Sequence, residues 1–137
     1  MIRDGAASTA LVSEVISGKV DAYSGSATPW DSRGLWAWWV GGAASYTHRN
    51  TPNSTVGDNY FQNSSDAQCV AGTPMPMPCG VGTSATDQLH NAARSQHPGG
   101  VTVAFADAHT TFVTNDIDTA TWTGIGTVNG RETVTAP

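Results

Sequence analysis

At 137 residues and a formal charge of −5, the chain is long enough for one domain with one core and no more. Its six cations, Arg3, Lys19, Arg33, Arg49, Arg94 and Arg131, stand singly, which leaves no positive stripe for phosphates and argues against a nucleic-acid partner. Leu, Ile, Val and Phe supply only 22 residues, yet with 12% charged residues and five tryptophans the chain lacks the charge-rich, aromatic-poor composition of disorder and is expected to fold around a small core.

In chain order, Ile2 to Gly5 is turn-prone, with Asp4-Gly5 marking a bend. Ala10 to Ile16 carries Leu11, Val12, Val15 and Ile16 and predicts a strand ending at Ser17-Gly18. Ser13 and Glu14 interrupt that run, so it is neither a signal peptide nor a membrane span. Tyr23 to Trp30 reads as a loop. Leu35 to Val40, LWAWWV, is the most apolar run of the chain. As a strand it puts Trp36 and Trp38 on one face and Leu35, Ala37 and Trp39 on the other. In a leucine-poor chain these indoles are expected in the core. The sharper alternative is a sugar-stacking platform of exposed rings, with Asp31, Asn50 or Asn53 as polar neighbours.

Ala43 to Ala71 has no helical or alternating period and reads as a long loop, a kind usually functional or mobile. It contains two tripeptides of the N-glycosylation type, at Asn53 and Asn63. Cys69 and Cys79 enclose VAGTPMPMP and are expected to form a disulfide. In the chain-entropy model such a short loop is worth about 2–3 kcal/mol, and such bonds persist mainly outside the cytosol. Ser84 to Ser95 predicts a short helix, N-capped by Ser84 or Thr86, with Leu89, Ala92 and Ala93 on one face. It leads through His97 into Pro98-Gly99-Gly100, a breaker cluster.

Val101, Val103 and Phe105 then alternate with Thr102, Ala104 and Ala106, and His109 to Val113 is again rich in β-branched and aromatic residues. The pattern is an antiparallel hairpin. With Asp107 and Ala108 as a two-residue loop, Val103 faces Phe112 and Phe105 faces Thr110. That loop needs positive φ at Ala108, where glycine or asparagine is preferred, so a wider loop or mild strain is expected. Beyond the hairpin, Asp116 or Asp118 is placed to cap a helical turn through Ala120, Thr121 and Trp122, ended by Gly124 or Gly126. The tail from Asn129 looks exposed.

Three stretches carry a family resemblance. ARSQHPGGVTVAFADAHTTFV, in which nine residues separate His97 from Asp107, resembles the C-terminal segment of prepilin-like proteins of planctomycete-type bacteria. Those proteins typically read His, nine residues, Asp-Gly; here Ala108 stands in the glycine's place. IRDGAASTALVSE and NDIDTATWTGIGTVNGRE resemble the family's opening and closing segments, whereas Asp21 to Asp87 matches loosely. The resemblance implies one α+β, pseudopilin-like domain spanning 1–137: an antiparallel sheet with short helices, long loops and one disulfide, and an anchor helix ahead of it. It further implies an extracytoplasmic protein of assembly or surface interaction, whose partners are other pilin-like subunits or surface ligands. It implies no established chemistry.

Of the residues capable of chemistry, His97 and Asp107 are separated by a strand of about 20 Å at roughly 3.3 Å per residue, too far to share a proton. Structural roles are expected instead, His97 bonding a neighbouring loop and Asp107 organising the turn. Asp107, Asp116 and Asp118 offer the oxygen ligands that calcium takes, and major pseudopilins are similar in holding calcium in a C-terminal loop, so a calcium site is one reading of them; the other is that Asp116 and Asp118 are helix caps and Asp107 a turn residue. Zinc is disfavoured, because His48, His90, His97 and His109 lack close ligand spacing. No nucleophile elbow or phosphate-binding glycine motif is present. The alternatives to an assembly domain are a small metal-dependent hydrolase of esters or lactones using Asp107 and Asp118, and a glycan-binding module built on Trp36, Trp38 or Trp39.

Overall fold

Alternating valines place the central hairpin where expected. In the computed structural model, which describes residues 2–18, 31, 33–34, 45–61, 75–82 and 90–131, a three-stranded antiparallel sheet is formed by β1 (Ala10–Ser13), β4 (Gly100–Phe105) and β5 (Thr110–Thr114), in the order β1-β4-β5. Two further strands, β2 (Asp58–Phe61) and β3 (Cys79–Gly82), pair in parallel. One helix, α1 (Thr119–Ile125), follows the hairpin. The described residues are therefore α+β. Trp36, Trp38, Trp39, Asn63, Cys69, Ser84, Thr86 and the expected Tyr23–Trp30 loop lie outside them. So does the proposed Cys69–Cys79 bridge as a pair, although Cys79 is described and is buried at the start of β3.

The hairpin register differs from the expected one by a single residue. Val101 pairs with Val113, Thr102 with Phe112, and Val103 with Thr111. The loop holds three residues, Ala106 to Ala108, closed by Ala108 N–H donating to Phe105 O at 2.9 Å and Phe105 N–H donating to His109 O at 2.9 Å. Ala108 takes φ 73°. This is a three-residue hairpin loop with its last residue left-handed. The shift turns Val113 inward beside Val101 and Val103, and leaves Phe112 on the outer face, contrary to expectation. There the Phe112 ring lies over Gly100, where a Cβ would meet the Val113 carbonyl at 2.2 Å and the ring at 2.7 Å.

The core lies between the inner face of the sheet and α1. Val101, Val103, Phe105 and Val113 meet Trp122 and Ile125, with Ala93 completing a fully buried set. Trp122 also donates Nε1–H to Asn50 O at 2.8 Å, so its polar edge is satisfied in the interior. Asp118 caps α1 by accepting from Thr121 N–H at 2.9 Å, one of the two capping positions expected.

Three expectations are corrected. The segment His90–Ser95 holds no helical turn and is not the end of a helix. Its backbone bonds go to other parts of the chain: His90 and Asn59 exchange bonds of 3.0 and 2.9 Å, Asn91 O accepts from Thr47 N–H, Asn53 N–H donates to Ala93 O, and Arg94 N–H donates to Glu14 O. Tertiary partners thus take the groups that a helix would pair internally. The long loop also contains a strand, since β2 runs along β3 with Asp58 opposite Cys79. Expected to run to Ile16, β1 stops at Ser13. Glu14 replaces the next ladder bond with its side chain, Oε2 accepting from Thr102 N–H at 2.6 Å.

Candidate functional site

Among the described residues, the densest polar cluster surrounds Asp58, at the start of β2. Asp58, Arg33 and Arg94 are only 1–2% exposed. Asp58 Oδ2 accepts from Arg33 Nη1 and Arg94 Nε, both at 2.9 Å, and Oδ1 accepts from Arg94 Nη2 at 2.7 Å and Ala92 N–H at 3.1 Å. The guanidinium of Arg33 also pairs with Asp31 and donates to the carbonyls of Met77 and Pro78. Arg94 donates to Ser54 O at 2.8 Å and Val56 O at 3.2 Å. Two arginines and two aspartates sum to zero charge. Burial opposes the Arg33 charge, but the two carboxylates raise its pKa above the ordinary value. With both Asp58 oxygens engaged, the cluster offers no open lone pair for proton transfer or metal. Its effect is to tie four stretches of chain, around residues 31–33, 54–58, 76–78 and 92–94, to one carboxylate.

The cluster was not read from the sequence, where the six cations simply stand singly. A usable signal existed in the composition. Where only six cations serve 137 residues, an arginine flanked by small residues, as in Ala92-Ala93-Arg94-Ser95, is a candidate for burial with a carboxylate partner.

His97 and Asp107 are not brought together. Ahead of β4, His97 Nε2 lies 3.0 Å from Glu14 Oε1 and is 60% exposed. Beyond the far end of β4, Asp107 Oδ1 accepts from His109 N–H at 3.1 Å and contacts His109 Nδ1 at 2.5 Å. The His109 ring stacks on Phe105 with centroids 4.4 Å apart. The His109 backbone and side-chain bonds lower the Asp107 pKa. The two residues thus stand beyond opposite ends of β4, each with its own partner. Asp118 is occupied by Thr121 N–H and the Thr121 hydroxyl, which lower its pKa, and Asp116 lies in the turn between β5 and α1. Among the described residues no group of three or more His, Cys, Asp or Glu is placed to hold a metal ion. The calcium expectation at Asp107, Asp116 and Asp118 gains no support from this geometry.

A second half-buried cluster packs on α1. His48 Nδ1 is 2.7 Å from Trp122 O, a pure acceptor, so Nδ1 carries the proton. Its Nε2 then accepts from the Tyr46 hydroxyl at 3.2 Å. Burial lowers the His48 pKa against the opposing Trp122 bond, and burial pushes Tyr46 up to about 12. The imidazole is 4.1 Å from the Trp122 ring, centroid to centroid. It also fills the space beside Gly126, where a Cβ would sit 2.4 Å from the ring. Asp4, expected only as a bend residue, binds the other end of the chain. Its carboxylate accepts from Thr127 Oγ1, Gly130 N–H and Arg131 N–H at 2.8–3.0 Å.

The outer face of the sheet contrasts with these satisfied clusters. Leu11, Val12 and Phe112 are 58%, 62% and 47% exposed. Val12 lies opposite Ala104, itself opposite Thr110, and Phe112 lies opposite Thr102, so this face bears apolar groups and threonines. Among the described residues no helix is long and apolar enough to cross a membrane.

No curated protein and no solved structure matches the chain. A family model does, across residues 1–120, and the chain belongs to the family it describes, "Protein of unknown function (DUF1559)".

Proposed function

We propose that this is the globular domain of an extracytoplasmic, pseudopilin-like protein that acts in assembly or surface interaction, not in catalysis. The observation that carries the reading is the exposure of Leu11, Val12 and Phe112, with Val12 and Phe112 on the outer sheet face among Thr102, Ala104 and Thr110. The resemblance of the His97–Asp107 segment to prepilin-like proteins supports the same reading. The charged groups at the centre of the described residues support it too, because Asp58, Arg33 and Arg94 are consumed by one another. Cys69 and Cys79 enter the proposal as a disulfide suited to an oxidising compartment. Calcium does not form part of it.

The test is to express the domain behind the anchor helix that the resemblance implies and to follow its state by sedimentation and negative-stain microscopy. Oligomers or filaments are expected. A protein that stays monomeric at every concentration would overturn the proposal.

A further inference from the structure

We propose that the free edge of β5 pairs antiparallel with β5 of a second copy of this chain, on a two-fold axis at Phe112. The inference rests on the assembly reading and gives it a surface and a partner. Gly99 O accepts from Asn115 N–H and Phe105 N–H donates to His109 O. Alternation between these two points directs the backbone groups of Thr111 and Val113 toward β4 and those of Thr110, Phe112 and Thr114 away from it. On the opposite side of β4 the same alternation is visible, for Thr102 turns its N–H to Glu14 and its O to Ser13 Oγ. Of the outward groups on β5, Thr114 O accepts from Ile117 N–H at 3.2 Å. Among the described residues, Thr110 and Phe112 have no backbone partner on that side.

The sequence of the edge is self-complementary. Read outward, Thr110, Phe112 and Thr114 form a palindrome, so a dyad sets Phe112 against Phe112 and Thr110 against Thr114. Thr111 then meets Val113, His109 meets Asn115, and no like charges stand directly opposite one another. In a protein of net charge −5, an uncharged five-residue edge lets two copies meet with little charge repulsion. The usual defences of an edge strand are lysine, proline or a bulge. The β1 edge has a register irregularity between Ala10 and Val12, whereas Thr110–Thr114 has none of these. Phe112, half exposed over Gly100, supplies apolar area at the axis. A single pair of short strands is a small contact, so pairing is weak for the isolated domain and gains from the multivalency of an assembly.

Amide hydrogen exchange by NMR on the domain, from micromolar to millimolar concentration, tests this. The Phe112 amide is expected to slow by about tenfold as the dimer fills, with Val113, already bonded to β4, unchanged. Phe112→Lys and Thr110→Lys, both at exposed positions and checked for folding by their spectra, are each expected to abolish the concentration dependence. A Phe112 amide indifferent to concentration would overturn the proposal, as would self-association surviving in both folded lysine variants. If the anchored protein assembles while its Phe112→Lys variant assembles equally well, the β5 pairing fails and the assembly reading stands; if the anchored parent never assembles, the assembly reading itself fails.

Discussion

At the scale of single residues, Ala108 shows what one side chain costs at a tight turn. It holds φ 73° at the end of the hairpin loop, a conformation that a Cβ penalises by about 1 kcal/mol and glycine does not. Ala108→Gly is therefore expected to raise stability by up to about 0.5 kcal/mol after the greater freedom of the unfolded chain is counted. A higher urea midpoint at constant m reads this, and a lower midpoint refutes it. His48 predicts a pH response. Its pKa is lowered in the fold by burial, so the unfolded chain binds the proton more readily. Stability is then full above the ordinary imidazole value of 6.5 and declines as the pH falls below it. Melting temperature should drop between neutral pH and about pH 5, and His48→Asn should flatten that part of the profile relative to the parent. A profile that keeps the same slope in the variant assigns the proton uptake elsewhere.

At the scale of elements, local chemistry made several features legible and left others hidden. Period-2 alternation from Val101 to Phe105 exposed the hairpin, and Asp118 followed by a short run ending at Gly126 exposed α1 with its cap. Loss of that cap in Asp118→Ala is expected to lower the urea midpoint of unfolding. An unchanged midpoint would show that the Thr121 bonds contribute little. Register was not legible, because one extra loop residue exchanges Phe112 for Val113 on the inner face, and both are apolar and β-prone. The helix predicted over Ser84–Ser95 failed in its described part for a different reason. Alanine spacing at Ala92 and Ala93 fits a helix, but Asn59, Thr47, Asn53 and Glu14 claim the backbone of that segment, and such partners lie far off in sequence. The β2–β3 pair was hidden likewise, since four residues of mixed polarity carry no period of their own.

At the scale of the whole molecule, two centres hold the described residues together. One is the small apolar core around Trp122, which has no exposed surface; Trp122→Ala is expected to cost about 3–5 kcal/mol, a large share of the roughly 5–15 kcal/mol that stabilises a domain. The other is the Asp58 cluster, whose members stand 25 and 36 residues apart in the chain, so that no local pattern joins them. Removing one partner from a buried ion group leaves the others unpaired and typically costs about 3–5 kcal/mol. On the proposed reading, charged groups of the interior serve the fold and the sheet surface serves contact with partners. Equilibrium unfolding of Asp58→Asn tests it most directly. A loss of about 3–5 kcal/mol, or a chain with no folded baseline, is predicted. A variant within about 0.5 kcal/mol of the parent would contradict the account and return Asp58, Arg33 and Arg94 to the pool of residues available for chemistry.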